Sequence, residues 1–178
     1  MHFYSGVDNF YYRVTKGRLQ PVLDTLLYLR HETKTWIEIT TLLIPDANDS
    51  DTEITALSRW VVRELGPEVP IHFTAFHPDY RMTDRPNTPS TTRARARRIA
   101  LGEGIRYAYV GNVHDLGRQS TWCHGCGEPL IERDWHQLGA WHLDEHARCA
   151  NCGTACPGVF KARPGRWGRK RLPVRIGA

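Results

Sequence analysis

Cysteine is absent from this chain until Cys123, so nothing before that position can supply a thiolate ligand or form a disulfide. Long apolar runs are missing too, and none approaches the roughly 20 residues that a membrane-spanning helix needs. The first residues lack the basic start and apolar stretch of a secretory signal peptide. We therefore expect a cytoplasmic protein without a membrane partner.

What is present suits a globular protein with one good core and a small appended module. Hydrophobic residues make up 40% of the 178 residues and charged residues 24%. The net charge of +5 comes from two basic groups, the cluster Arg93, Arg95, Arg97 and Arg98 and the tail 161–178. Such groups can contact phosphate or acidic partners, or simply face solvent. Because no nucleic-acid motif occurs, we do not expect nucleic acid to be the partner.

Residues 1–116 alternate between predicted helices and strands. The apolar spacing predicts helices over 19–31, from the Ser50-x-x-Glu53 capping box to Gly66, and over 90–101. Runs of β-branched and aromatic residues predict strands over 35–44, 70–77 and 105–110. Strand–helix–strand units of this length form right-handed crossovers and parallel sheets. The pattern is that of an α/β protein, either a (β/α) barrel or a doubly wound sheet.

Three strands cannot close a barrel. A complete eight-stranded barrel takes about 250 residues, whereas three parallel strands leave an unpaired edge and a half-covered face. We expect residues 1–116 to be part of a larger (β/α) barrel that is truncated on its N-terminal side. The alternative is a small open sheet that dimerises to cover itself.

Polar residues follow each predicted strand, where ligands bind in such folds. Thr41 lies near the carboxyl end of the first strand, and His77 and His114 come at the ends of the second and third, at equivalent points of the repeat. The two histidines are therefore the favoured candidates on this edge. Glu38 lies inside the first strand, and the sequence leaves open whether it faces a ligand or pairs with a basic residue.

Residues 117–160 carry a metal-binding pattern. Two Cys-x-x-Cys-Gly turns, at Cys123 and Cys126 and at Cys149 and Cys152, are separated by 22 residues. This spacing is typical of one tetrahedral zinc site in which each turn supplies two sulfurs. Apolar residues that alternate with polar ones between the turns predict the short strands of a zinc ribbon. Four sulfurs already complete a tetrahedral site, so we do not expect the nearby histidines to be ligands. These histidines are His124, His136, His142 and His146.

Cys156 adds an alternative. With Cys149 and Cys152 it reads Cys-x-x-Cys-x-x-x-Cys, and iron–sulfur clusters also use thiolates at short spacings. The other interpretation is a buried thiol beside Pro157. The sequence leaves zinc and iron–sulfur both open.

Several longer strings are similar to those of one known family. Over roughly residues 7–160 the chain resembles the AmmeMemoRadiSam system radical SAM enzymes, relatives of the pyruvate formate-lyase activating enzymes. The strings that carry this resemblance are 10–26, 38–45 with 48–51, 72–80, 111–115 and 123–127.

The resemblance implies a partial (β/α) barrel that holds a [4Fe–4S] cluster and S-adenosylmethionine and generates a 5′-deoxyadenosyl radical. His77 would lie near S-adenosylmethionine, with Thr41 as a second candidate contact. The family's Cys-x-x-x-Cys-x-x-Cys cluster motif is missing here. We therefore expect the C-terminal part of such an enzyme, inactive alone, whose partners are the missing barrel half or other proteins of the system. The alternative is a zinc-stabilised module that binds protein or nucleic acid without catalysis.

Overall fold

The computed structural model describes residues 8–160 of the chain. The described residues divide into two compact units, 8–113 and 114–160, here called unit 1 and unit 2. The predicted boundary lay after residue 116, and the predicted basic tail, 161–178, lies outside the described residues. Within 8–160 no helix is both long enough and apolar enough to cross a membrane.

Unit 1 is a mixed α/β structure, as predicted. Its helices are α1, Asp8–Phe10, continued by a π-helical turn at Tyr11–Thr15, then α2, Leu19–His31, α3, Asp51–Glu64, and α4, Ser90–Gly102. Its strands are β1, Ile39–Leu43, β2, Ile71–Ala75, and β3, Ala108–Gly111. The periodicity of the sequence therefore located all three long helices and all three strands.

The three strands form one parallel sheet in the order β1-β2-β3. Ile39 pairs with Ile71, which in turn pairs with Ala108, so the strands are in register from their first residues. The prediction that the first strand begins near Thr35 was wrong. A strand extends only as far as its neighbour offers hydrogen bonds, and the Ile39 amide already donates to Pro70, just before β2 begins.

Local sequence explains how the helices begin and where they lie. Ser50 caps α3 by accepting a hydrogen bond from the Glu53 amide at 3.3 Å, and its hydroxyl lies 3.1 Å from the Glu53 carboxylate. The end of α2 is tied to the end of α3, because the Arg30 guanidinium donates to the Leu65 carbonyl at 2.6 Å. The two helices are therefore joined at their carboxyl ends.

The two faces of the sheet differ. One face carries the buried residues of the strands: Ile39, Thr41, Leu43, Ile71, Phe73, Ala108 and Val110. Five of them form one apolar core with buried residues of α2, α3 and α4: Ile39, Leu43, Ile71, Phe73 and Ala108. The other, here called the polar face, carries half-buried residues: Thr40, Leu42, His72, Thr74, Tyr109 and Gly111. This alternation follows from the two-residue period of a strand.

The carboxyl edge of the sheet is held together by polar side chains. Asn48 is buried and bonds the Ile44 amide and the Leu42 carbonyl. The Thr88 hydroxyl joins the end of β1 to the end of β2, since it donates to the Leu43 carbonyl and accepts from the Phe76 amide. These polar residues satisfy backbone groups where the strands end, so their first role is structural.

Unit 2 is a small antiparallel sheet preceded by one helical turn. Its elements are α5, Leu116–Gln119, β4, Thr121–Trp122, β5, Pro129–Asp134, and β6, Gln137–Trp141, in the order β4-β5-β6. Trp135 takes a positive φ of 56° in the tight turn between β5 and β6, and its amide donates to the Gln119 side chain. The alternating sequence between the two cysteine turns is thus a hairpin.

Candidate metal centre

Each cysteine pair sits in a turn, and the two turns have the same backbone hydrogen bonds. In the first turn, 123–128, the Cys123 amide donates to the Glu128 carbonyl and the Gly127 amide to the Cys123 carbonyl. In the second, 149–154, the Cys149 amide donates to Thr154 and the Gly153 amide to Cys149. The repeated Cys-x-x-Cys-Gly sequence therefore folds twice into the same loop, and we call each loop a knuckle.

Glycine is required in the knuckles for two different reasons. Gly127 and Gly153 have φ values of 78° and 73°, which favour a residue without a Cβ. Gly125 lies against the second knuckle, and a Cβ added there would collide with the side chain of Thr154. The first two glycines shape each loop, whereas Gly125 allows the two loops to approach each other.

This approach brings four sulfurs together. The Sγ atoms of Cys123, Cys126, Cys149 and Cys152 all lie within 4.8 Å of one another. The closest pairs are Cys123 with Cys152, at 3.5 Å, and Cys126 with Cys149, at 3.7 Å. With Zn–S bonds of about 2.3 Å, a tetrahedral site places its sulfurs about 3.8 Å apart. The four cysteines can therefore hold a metal ion such as zinc without moving far.

Hydrogen bonds to the sulfurs favour their thiolate forms. The Gly125 amide donates to Cys123 at 3.4 Å, and the Asn151 side chain donates to Cys126 at 3.6 Å. The hydroxyl of Thr154, and after it the Thr154 amide, lower the pKa of Cys152 to about 6. At Cys126 the Glu128 amide lowers the pKa, but the neighbouring thiols and burial outweigh it, and the pKa is raised to about 11. Crowded thiols resist losing every proton, and a bound cation relieves that repulsion.

The sheet positions the knuckles. Cys123 directly follows β4, and the first knuckle leads into β5. After β6, the His142 amide donates to the Leu130 carbonyl and the His142 carbonyl accepts from Ala150, which ties the second knuckle to β5. The first cysteine of each knuckle is buried and the second is exposed. One side of the candidate site thus faces the unit and the other faces solvent.

The other candidate ligands of this region lie outside the cluster. Cys156 is buried and its amide donates to the Ala147 carbonyl, but it does not belong to the group of four sulfurs. None of the four nearby histidines belongs to the group either; His142, for example, places its Nδ1 2.9 Å from the Pro129 carbonyl. The structure therefore brings together the four predicted ligands and no other residue of 8–160.

The predicted cofactor contacts of unit 1 lie at different places. His77 is exposed in the loop that follows β2, as its position after a strand suggested. Thr41 is only 2% exposed, and its side chain lies on the covered face with Ile39 and Leu43. Their roles toward a cofactor stay predictions.

His114, which was expected where the third strand ends, belongs to unit 2. Its Nδ1 lies 2.8 Å from the Asp134 carboxylate, and its ring stacks on Trp135 at a centroid distance of 5.2 Å. Glu38, which the sequence left open, pairs with His72 across the sheet at 2.8 Å. The alternation of polar and apolar residues in β2 indicated that His72 lies on the face opposite to Ile71 and Phe73. Its partner could not be predicted, because the pairing with Glu38 depends on the register between two strands.

Comparison with known proteins gives one relative and no family. No family model matches the chain. Over 149 residues it is 42% identical to the uncharacterized protein MJ0808 of Methanocaldococcus jannaschii, a match that covers 83% of this chain and 44% of the archaeal protein. The chain therefore spans less than half the length of this relative.

Proposed function

We propose that unit 2 is a zinc ribbon in which Cys123, Cys126, Cys149 and Cys152 hold one Zn²⁺. The observation that carries this proposal is the mutual approach of the four sulfurs to within 4.8 Å, from two knuckles of the same conformation. Thiolates of this number and arrangement make a closed tetrahedral shell with no open position for a substrate. The role of the zinc is therefore structural.

A mononuclear ion fits these sulfurs better than an iron–sulfur cluster. A cluster places its own irons and sulfides between the cysteine ligands, which pushes the ligands apart. Four sulfurs that all lie within 4.8 Å of one another leave room for one ion only. Cys156, which would be needed for the alternative Cys149–Cys152–Cys156 set, lies outside the group.

Metal analysis of variants tests the zinc ribbon. The purified chain is expected to contain about one zinc, and the Cys123→Ser variant much less, because a hydroxyl is a poor zinc ligand. Cys156→Ser is the matched control, a buried cysteine of the same unit that should leave the zinc content unchanged. Undiminished zinc in Cys123→Ser, or equal loss in both variants, would reject these ligands.

For unit 1 we propose that the sheet is part of a radical SAM barrel of the AmmeMemoRadiSam type, as the sequence resemblance implies. Two observations support this. The strands follow one another in the order of the sequence, as in consecutive (β/α) units. The length of the archaeal relative leaves room for further units.

No radical chemistry is assigned to this chain alone. The described cysteines fit one tetrahedral ion, and the Cys-x-x-x-Cys-x-x-Cys motif of the family is absent from the sequence. The contribution proposed for unit 1 is a contact to S-adenosylmethionine from His77. The cluster would come from the remaining part of such a barrel.

Calorimetry and product analysis separate the two parts of this proposal. Under reducing conditions the chain alone is expected to release no 5′-deoxyadenosine. S-adenosylmethionine is expected to bind weakly, and more weakly still to the His77→Ala variant. His31→Ala serves as the control, because His31 bonds the Glu64 carbonyl at the far ends of α2 and α3. Product formation would overturn the claim of inactivity, and equal binding by all three proteins would remove His77 from the site.

A non-catalytic binding module is the second candidate. Unit 2 exposes several large apolar side chains, each more than a third accessible: Leu116, Trp122, Trp135 and Leu138. Exposed aromatic residues are common where proteins meet partners. A salt-dependent gel shift with DNA or RNA would support nucleic-acid binding, and its absence would leave protein as the partner.

A further inference from the structure

The two knuckles share one backbone conformation but differ in the residue that follows the glycine. The Glu128 carbonyl accepts from the Cys123 amide in the first knuckle, and the Thr154 carbonyl accepts from the Cys149 amide in the second. An ionised carboxylate can only accept hydrogen bonds, whereas a hydroxyl can also donate them. A side-chain donor at this position is therefore present in the second knuckle and not in the first.

The Thr154 hydroxyl lies next to a sulfur that faces solvent. Of the four clustered cysteines, Cys126 and Cys152 are the exposed ones. Thr154 Oγ1 is 3.1 Å from Cys152 Sγ, whereas the side-chain amide of Asn151 is 3.6 Å from Cys126 Sγ. Of the two exposed sulfurs, Cys152 therefore has the closer polar side chain.

Packing holds the Thr154 side chain in this place. The side chain is half-buried, and its Oγ1, Cβ and methyl group are the atoms nearest to the missing Cβ of Gly125 in the first knuckle. It thus fills the space between Gly125 and Cys152. The hydroxyl oxygen has little freedom to move away from the sulfur.

Metal binding determines the direction of this hydrogen bond. A thiol can donate its proton to the hydroxyl, but a metal-bound thiolate has no proton and can only accept. The hydroxyl of Thr154 can turn its own proton toward Cys152. The bond is then charge-assisted, which makes it stronger than a hydrogen bond between neutral groups.

We propose that Thr154 is a positioning residue of the zinc centre, whose hydroxyl donates to the Cys152 thiolate and lowers the nucleophilicity of this exposed ligand toward soft electrophiles. This role rests on the proposed zinc ribbon. When an alkyl halide attacks, the Cys152 sulfur forms a bond to carbon, the carbon–halogen bond breaks, and the halide leaves with the bonding electrons. The product is a neutral thioether, a much poorer zinc ligand than the thiolate. The hydrogen bond from Thr154 therefore helps unit 2 to keep its metal.

Cobalt(II) in place of zinc reports on the electron density of the sulfurs. In the full chain loaded with Co²⁺, Thr154→Val keeps the shape of the side chain but removes the hydroxyl, so the sulfur-to-cobalt charge-transfer band is expected to move to lower energy. The Co²⁺ affinity should fall about tenfold, as is common when a group that hydrogen-bonds a metal ligand is lost. Thr154→Ser retains the hydroxyl and should keep the band at its original energy. A merely structural role would change the affinity and leave the band in place.

Alkylation of the zinc-loaded chain shows which sulfur is affected. With iodoacetamide as the probe, Cys152 of Thr154→Val is expected to react about tenfold faster than in the unchanged protein, the equivalent of one charge-assisted hydrogen bond. Peptide mass spectrometry of early samples also measures Cys126, whose rate should not change. Glu128→Ala is the matched control, because it removes the side chain at the equivalent position of the first knuckle. It should leave the band energy and the reaction rate of Cys152 unchanged.

Several outcomes would exclude this role of Thr154 without rejecting the zinc ribbon. They are a band of the same energy in Thr154→Val as in the unchanged chain, an equal shift in Thr154→Ser, or an unchanged reaction rate at Cys152. Thr154→Ala, with a smaller side chain, gives the same comparison where Thr154→Val fails to fold. Absence of a charge-transfer band in the unchanged chain with Co²⁺ would reject the zinc ribbon itself, and the role of Thr154 with it.

Discussion

The two units of this chain differ in the kinds of residues that are buried in their interiors. Unit 1 buries large aliphatic and aromatic side chains such as Leu26, Phe73 and Val61 between a sheet and three helices. In unit 2 the buried apolar residues are few, and half of them are cysteines: Cys123, Leu130, Ile131, Leu143, Cys149 and Cys156. Unit 1 therefore has a large apolar core, whereas unit 2 has few buried apolar residues besides its cysteines.

This difference follows from size. A small module cannot bury enough apolar surface to offset the conformational entropy it loses on folding. A metal ion that is coordinated by four residues far apart in the sequence can supply the remaining free energy of folding, because it binds the folded state and not the unfolded chain. We therefore expect the stability of unit 2, unlike that of unit 1, to depend on metal.

Removal of the metal should have the largest effect. A strong chelator is expected to unfold unit 2 and to leave unit 1 folded, because zinc contributes about 10–16 kcal/mol in small zinc modules. Amide spectra of the full chain would show the signals of 114–160 collapse while those of 8–113 keep their dispersion. Spectra in which both units stay folded, or both unfold, would contradict the expectation that only unit 2 needs metal to stay folded.

A substitution in the apolar core should destabilise unit 1 alone. Phe73 is fully buried in the middle of β2, and Phe73→Ala is expected to destabilise unit 1 by about 3–5 kcal/mol. Denaturant unfolding measures this loss, and metal analysis of the same sample should show undiminished zinc. Tyr80→Ala, at an 82% exposed position, is the control and should change stability by less than about 0.5 kcal/mol. Zinc loss in the Phe73 variant would mean that the units are not independent.

A glycine substitution tests how closely the knuckles must approach. Gly125→Ala forces the new Cβ against Thr154, so the two knuckles must separate, at a cost of about 1–3 kcal/mol. Competition with a zinc-binding dye should show at least a tenfold lower zinc affinity. Gly117 lies in the same unit with no atom near its missing Cβ, and Gly117→Ala should bind zinc normally. Equal affinities would mean that the knuckles tolerate the separation.

Local patterns in the sequence were enough to predict the helices and the cluster of four cysteines. The helix over 19–31, the Ser50 cap and the four cysteines each depend on residues close in sequence or on a strict spacing, and the structure has all of them. The strand limits were less predictable, because the length of β1 depends on where its neighbour begins.

Contacts between residues that are far apart in the sequence could not be predicted from it. Glu38 and His72 meet because of the register between two strands that are separated by a helix. His114 comes shortly after β3, yet it pairs with Asp134, which a hairpin brings back to it. Equivalent positions in a sequence repeat indicate equivalent positions in the fold only while the repeat continues. The repeat does not continue past Val113, because the second unit begins at His114.

The smallest expected effect concerns a single cap in unit 1. Ser50→Ala removes the side chain that accepts from the Glu53 amide, which should cost about 1 kcal/mol and leave the zinc content unchanged. Thr52→Ala, an exposed position two residues further along the same helix, should be nearly neutral. Denaturant midpoints of the two variants measure the difference. If Ser50→Ala is as stable as Thr52→Ala, packing against the sheet fixes the start of α3, and a core of this kind sets even the ends of its helices.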